Sequence, residues 1–281
     1  MMFFYQLRNE LWKLFGKKRT YIGFVMFLLA QAIILLLFRY TNGIRHDLTR
    51  RLDLMGYPAE QFLSSVTMAT AMLAPIVAIL LPLYVSLVGG DLLAKEAEDG
   101  TLRMMLSRPI SRLRIIGLKW LAGAIFSILL GLVLGGFGAL FASLLFHSGG
   151  LFAVAPQQEI FSLFTEAEGW RRFVCAVCAL TFNAITIMGI ALMFSCFNIK
   201  PAAATILAVS LVLISLIIQQ IPYFHDLQQW FLTYHLEFWI RIFQQPIPWI
   251  TIAESLSILF GVNLTLFIVG AAAFQMRDIK S

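Results

Sequence analysis

The side chains of this chain that could do chemistry are few and bunched. Residues 90–114 read GDLLAKEAEDGTLRMMLSRPISRLR, and with Lys119 they set ten charges between two long apolar runs: Asp91, Lys95, Glu96, Glu98, Asp99, Arg103, Arg108, Arg112, Arg114 and Lys119. Charges of both signs beside Leu and Met suit docking, with adaptable apolar anchors and charges for orientation. Catalysis has no comparable cluster. There is no H-E-x-x-H, no G-x-S-x-G, no intramembrane Asp pair and no facing Ser/His set, so an intramembrane enzyme is the weakest class. His46, His147, His225 and His235 fall outside the apolar runs, and their spacing fits no metal motif, although His225 and His235 share a loop with Asp226 and Glu237. Cys175, Cys178 and Cys196 all lie within apolar runs. The C-x-x-C formed by the first two matches a redox motif in letters, but on a helix in lipid it is two small side chains.

The elements that position these residues follow from composition. The 281 residues are 60% hydrophobic and only 13% charged, against about 25% charged in soluble domains. So few charges cannot cover a water-facing surface, and an integral membrane protein is expected. Six segments approach the roughly 20 apolar residues that a span needs: about 21–38, 69–90, 115–146, 173–197, 202–221 and 251–275. The third is long enough to tilt or to project. Between the fourth and fifth only Asn198-Ile199-Lys200-Pro201 intervenes, a tight hairpin with Pro201 suited to the first turn of the next helix. The first run begins after about 20 residues without a cleavage-site pattern, so no cleavable signal is expected. The whole of 1–281 is expected to be a single transmembrane domain.

An even number of spans puts both termini on one side. That side carries 14 of the 21 Lys and Arg residues, and the acids run the other way, 6 against 9. Both termini and the 91–114 loop are therefore expected in the cytoplasm. The net charge of +6 is mostly this topology signal, and nucleic acid is not an expected partner. Residues 1–20 contain Phe4, Leu7, Leu11, Leu14 and Phe15 at three- and four-residue steps, with Arg8, Glu10, Lys13 and Lys17 in other directions. That pattern predicts an amphipathic helix in the cytoplasmic interface, either a plain anchor or an elbow beside a bundle.

Within 91–114, Asp91 to Asp99 is helix-permissive, Asp99-Gly100-Thr101 breaks it, with Gly100 for the turn and Asp99 or Thr101 as an N-cap, and Leu102 to Leu106 forms a short second helix. Arg108 precedes Pro109 and must be extended, and Ser111 is placed to cap the third span. The short helix is expected to expose Leu102, Met105 and Leu106, rimmed by Arg103 and Arg108. This stretch resembles the cytoplasmic loop of type-2 ABC exporter permeases. In that family an acidic D-x-x-x-x-E lead precedes GTL, then LLS-x-P-x-S-R, then a Lys early in the next helix. Asp91, Glu96, Glu98, Gly100, Thr101, Leu102, Leu106, Ser107, Pro109, Ser111, Arg112 and Lys119 fit. The layout of an interfacial helix, six spans and a basic tail (Phe274, Arg277, Asp278, Ile279) also fits.

The resemblance implies a coupling helix that sits in a groove of a separate ATP-binding subunit, with Glu96, Glu98, Gly100, Thr101, Leu102, Arg103, Met105, Leu106, Arg108 and Pro109 at that contact. It implies two permease chains, identical or different, with two ATP-binding subunits in a bacterial plasma membrane. The ATP and Mg would be held by the partner, since this chain has neither G-x-x-x-x-G-K-[ST] nor an LSGGQ-like stretch. No cofactor and no enzyme activity are expected in the chain itself. The implied function is ATP-driven export. The alternative is an ABC-type complex doing mechanical or maturation work, such as metalloenzyme assembly or an envelope function, without moving a small solute.

Deep in the spans no charge is found, which argues against a proton- or sodium-coupled carrier. Gln31 and Asn183 are read as hydrogen-bond partners between helices ahead of substrate ligands. Pro75 and Pro82 lie seven apart in the second span, as a hinge or as packing geometry. Gly117, Ala124, Gly131, Gly135, Gly138 and Ala142 form a small-residue stripe whose partner helix lies in this chain or in a mate. In 222–250, Leu227, Phe231, Tyr234, Phe238 and Ile242 mark one face of an outer interfacial helix, either an anchor or a greasy lid. Segment 151–172 has weaker interfacial character.

Overall fold

Apolar length sets the architecture. In the computed structural model, which describes residues 2–41, 49–50, 52, 56, 58–107, 110–158 and 160–277, six helices are long and apolar enough to cross a bilayer. They are Lys18–Tyr40, Ser65–Glu98, Arg112–Leu145, Glu166–Cys196, Pro201–Gln219 and Trp249–Met276, here the first to sixth spans. The protein is an all-α membrane protein. The third span has 34 residues, about 51 Å at 1.5 Å per residue, so it overshoots a hydrocarbon core of about 30 Å.

The fourth span is the hub and packs on the second, third, fifth and sixth, while the first packs on the third and second. The fourth is the most buried span, and the first and fifth are the least. Ile22, Val25, Leu29 and Ile33 of the first span are exposed, as are Ile206, Ile214 and Ile217 of the fifth and Phe260, Leu264 and Ile268 of the sixth. In lipid such faces cost nothing, because acyl chains are as apolar as leucine.

Close approach comes from the glycine stripe, and its partners lie in the same chain. A Cβ on Gly131 would stand 2.1 Å from Thr181 Oγ1, and one on Gly135 2.6 Å from Val177 Cγ1, both on the fourth span. One on Gly138 would meet Met72 Cε at 2.1 Å on the second span. Gly117 meets nothing within 4 Å. The buried amides tie helices together. Gln31 Nε2 donates to Leu134 O at 2.6 Å, and Asn263 Nδ2 to Thr186 Oγ1 at 2.7 Å. Asn183 Nδ2 donates to Leu236 O at 2.5 Å, outside the spans.

The second span is not one uniform helix. Ser64 caps it by accepting from Thr67 N. The α-helix Ser65–Pro75 gives way to a π segment, Ile76–Leu80, and resumes as Leu81–Asp91. Leu81 N–H bonds Ile76 O, five residues back. Neither Pro75 nor Pro82 can donate an amide hydrogen, so the ladder has gaps on both sides of the wide turn.

The side opposite the termini holds one element that was not expected and one expectation that fails. Residues Leu151–Ala155 (β1) and Ile160–Phe164 (β2) form an antiparallel hairpin, with Leu151 opposite Phe164. It is stitched to the second span, where Phe152 N–H donates to Thr67 Oγ1 at 2.9 Å and Ser64 Oγ donates to Gly150 O at 2.7 Å. The outer segment is not a single interfacial helix either. It breaks into a 3-10 stretch Pro222–Trp230 and short helices Leu232–Leu236 and Phe238–Arg241. Phe238, Trp239, Ile242 and Phe243 are buried. The end of the apolar stripe, Phe238 and Ile242, thus folds back onto the fourth and sixth spans, while Phe231 and Tyr234 are half-buried and Leu227 stays exposed.

Arg172 locks this end. It is buried, lies 4.0 Å over the Phe164 ring, and donates to Glu168 Oε1, Ile242 O and Gln244 O at 2.9, 2.6 and 2.9 Å. One guanidinium, with its fork of donors, joins the hairpin, the fourth span and the outer segment.

Candidate functional site

The site is built where the N-terminal helix, the 91–114 stretch and the third span meet. Met2–Phe15 is helical, and its inner face carries Leu14 together with Glu10, one turn away. Leu7, Leu11 and Phe15 are half-buried beside Leu14, as the expected stripe has them, while Phe4 is left outside with Tyr5 and Trp12. A buried carboxylate needs a partner, and the third span supplies it.

Lys119 is 1% exposed. Its Nζ lies 2.9 Å from Glu10 Oε2 and 2.7 Å from Glu96 Oε2. Lys13 Nζ completes the ring, at 2.9 Å from Glu10 Oε1 and 3.1 Å from Glu96 Oε1. Two ammoniums and two carboxylates therefore alternate, each touching both opposites, with no net charge. Burial alone would raise the Glu10 carboxyl, but the charges of Lys119 and Lys13 more than offset it, so it titrates below its ordinary range. Burial pulls Lys13 down, while its bonds to Glu10 and Glu96 push it up further, so its net shift is upward. Beside the quartet Arg19 pairs with Asp91, and the Tyr84 hydroxyl donates to Thr20 O at 2.6 Å.

Glu96 is thereby held inward, as part of the tether. Ala94–Glu98 is the last helical piece of the second stretch. Gly100 turns the chain at φ +72°, a left-handed conformation that glycine adopts without strain. Gly100 is also the N-cap of Thr101–Leu106, and Thr101 Oγ1 donates instead to Glu96 O at 3.2 Å.

The short helix presents a different face from the one expected. Leu102 is 2% exposed and joins the core. Met105, three residues on and so on the same side, packs against that core, with its Sδ 3.6 Å from Lys13 Nζ. Met104 stands out at 67% exposed, with Arg103 and Ser107 beside it on the surface. An apolar pair at i, i+3 on a helix of six residues is drawn to the nearest core, and the odd apolar residue is left facing out. Glu98 pairs outside with Lys95 at 2.7 Å. Arg108, Pro109 and the Leu106 side chain lie outside the described residues, as do Asp278 and Ile279 of the tail.

The loop returns to the bundle through Ser111, which caps the third span by accepting from Arg114 N at 3.3 Å. Arg112 then reaches the end of the sixth span, where Nη1 donates to Phe274 O, Gln275 O and Arg277 O, each at 2.9 Å. A cation on the last carbonyls of a helix satisfies groups that the helix cannot. Arg277 in turn donates to Phe197 O at 3.2 Å and Asn198 Oδ1 at 2.9 Å in the hairpin between the fourth and fifth spans. Both arms of the loop are thus fixed to the bundle. Sequence reasoning missed Glu10 and Lys13 as site residues, although their i, i+3 spacing was a signal. It counted Lys119 in the charged cluster but gave it no partner.

These features define a class: a six-span helical membrane protein with a short helix between its second and third spans. The chain matches the ABC-2 family transporter protein family over residues 10–279. That span covers nearly the whole sequence, and the chain belongs to this family, whose members are permeases of ABC transporters. A search of curated proteins returned no match. Among the described residues, no group of three or more His, Cys, Asp and Glu side chains is placed to hold a metal.

Proposed function

We propose that the chain is the permease half of an ATP-driven exporter in a bacterial plasma membrane, with both termini in the cytoplasm. A separate ATP-binding subunit, present in two copies and carrying ATP and Mg, drives it, and a second permease chain completes the membrane unit. The observation that carries this proposal is the helix Thr101–Leu106. It lies outside the apolar spans, buries Leu102 and exposes Met104, and is braced on one side by the Glu96–Lys119 ion pair and on the other by Arg112. A helix so braced passes a push from a docked partner to the second and third spans without bending. Pro75, Pro82 and the π segment between them are the proposed hinge, because the wide turn is where the second span has fewest backbone bonds to lose.

Solubilising the full chain from its native membrane and asking whether a Walker-type ATPase co-purifies tests the coupling. The expected result is co-purification that Met104→Asp removes while the variant stays folded. Folded protein without any ATPase would overturn the proposal. Vesicle transport by the reconstituted complex then separates export from mechanical work: ATP turnover that no solute stimulates, with no solute moved, would favour the latter.

A further inference from the structure

The end of the bundle opposite the termini holds a cavity of about 610 Å³, within the roughly 300–1,000 Å³ of small-ligand sites. Gln158, Gln219, Tyr234, Glu237, Arg241 and Thr251 are among its walls. Its polar groups are of both signs and incompletely paired. Glu237 Oε2 accepts from Gln158 Nε2 at 3.0 Å and from Gln219 Nε2 at 3.1 Å. Gln219 is 8% exposed, yet its buried Oε1 has no hydrogen-bond partner, and neither has buried Nη1 of Arg241. The Arg241 guanidinium lies 4.3 Å over the Tyr234 ring and makes no ion pair with Glu237 among the described residues.

An orphan acceptor and a carboxylate thus share one cavity with an orphan cationic donor. A cation alone would meet Arg241, and an anion alone would meet Glu237. A ligand that carries an ammonium and an anionic group satisfies all three. The surroundings identify its source. Gln219 ends the fifth span and Trp249 begins the sixth, so the cavity sits at the bilayer border. Tyr223, Trp230 and Trp249 are 85%, 80% and 66% exposed around it, as in the aromatic belts found at headgroup level.

We propose that this cavity binds a zwitterion, the headgroup of a phosphatidylethanolamine lipid, with its ammonium on Glu237 and Gln219 Oε1 and its phosphate on Arg241. Primary ammonium N–H groups are required, so a phosphatidylcholine headgroup has nothing to donate. Phosphatidylglycerol has no cation. The site stands on the cavity alone and does not depend on an ATPase partner.

The test is native mass spectrometry of the full chain in detergent with equal amounts of the three lipids, with free phosphoethanolamine as competitor. The expected result is retention of phosphatidylethanolamine over the other two by about tenfold, the equivalent of 1.4 kcal/mol. That preference should be lost in the near-isosteric Glu237→Gln and in Arg241→Leu, each with an unchanged lipid-free unfolding midpoint, and weakened in Gln219→Leu. Free phosphoethanolamine should compete. Equal retention of the three lipids, or a preference that survives both Glu237→Gln and Arg241→Leu, would overturn the proposal. Binding of free phosphoethanolamine without retention of the lipid would overturn the lipid source and assign the cavity to a soluble zwitterion.

Discussion

Replacing Lys119 by Met keeps a long apolar stem in the third span and deletes one ammonium. Glu10 and Glu96 then stay buried with only Lys13 between them, at 2.9 and 3.1 Å. Removing one partner of a buried pair costs about 3–5 kcal/mol, because the orphaned charge keeps its desolvation penalty. Lys13 still touches both carboxylates and is itself half exposed, which puts the loss at about 3 kcal/mol, the low end. At 1.4 kcal/mol per factor of ten, local opening should rise roughly 100-fold. Hydrogen exchange read by mass spectrometry on Met2–Phe15 and Ala94–Leu106 measures that opening directly. The triple variant Lys119→Met, Glu10→Gln, Glu96→Gln is the control. With the buried charges gone, it should recover most of the loss, since neutralising a whole buried cluster is often close to neutral. Unchanged exchange in both segments of Lys119→Met would refute the tether, as would a triple variant more open than the single one.

Acidity should act on the same joint. The Glu10 value is lowered, so its contribution is full above the ordinary carboxylate value of 4.5 and is lost as pH falls through the lowered one. The Lys13 value is raised, so its part is full below 10.5 and is lost only as pH rises through the raised value. Exchange in Met2–Phe15, corrected for its intrinsic pH dependence, should be flat through neutrality and climb only in strong acid or base. Gly135→Leu should destabilise the protein by about 1–3 kcal/mol through overpacking against Val177, read as a lower unfolding midpoint of the single chain, because the contact is internal. Arg172→Met should leave the buried carbonyl of Ile242 unpaired, at about 1–3 kcal/mol, while the exposed Gln244 turns to water, and should speed proteolysis in 222–248.

The spans were legible because membrane thickness imposes a length that composition reports directly, and Gly100 and Ser111 were legible because a turn and a cap depend on one residue each. What lay hidden depends on partners far along the chain. Glu10 looks like a solvated charge until Lys119, 109 residues away, is brought to it. Leu102 and Met105 mark one face of a helix, but periodicity does not say whether that face meets core or partner. Nine aromatics between Tyr223 and Trp249 suggested a lipid-lying helix, yet Arg172 supplies a polar anchor that folds the segment inward. The β1–β2 hairpin left little trace, since five-residue apolar runs suit strand and helix alike.

The central claim is that the face bearing Met104 meets an ATP-binding subunit. A photoreactive amino acid at Met104, with a second version at the lipid-facing Leu132 (61% exposed), tests it in native membranes. The account predicts a cross-link from position 104 to a nucleotide-binding polypeptide and none from 132. An ATPase that co-purifies yet never cross-links at 104 would contradict it.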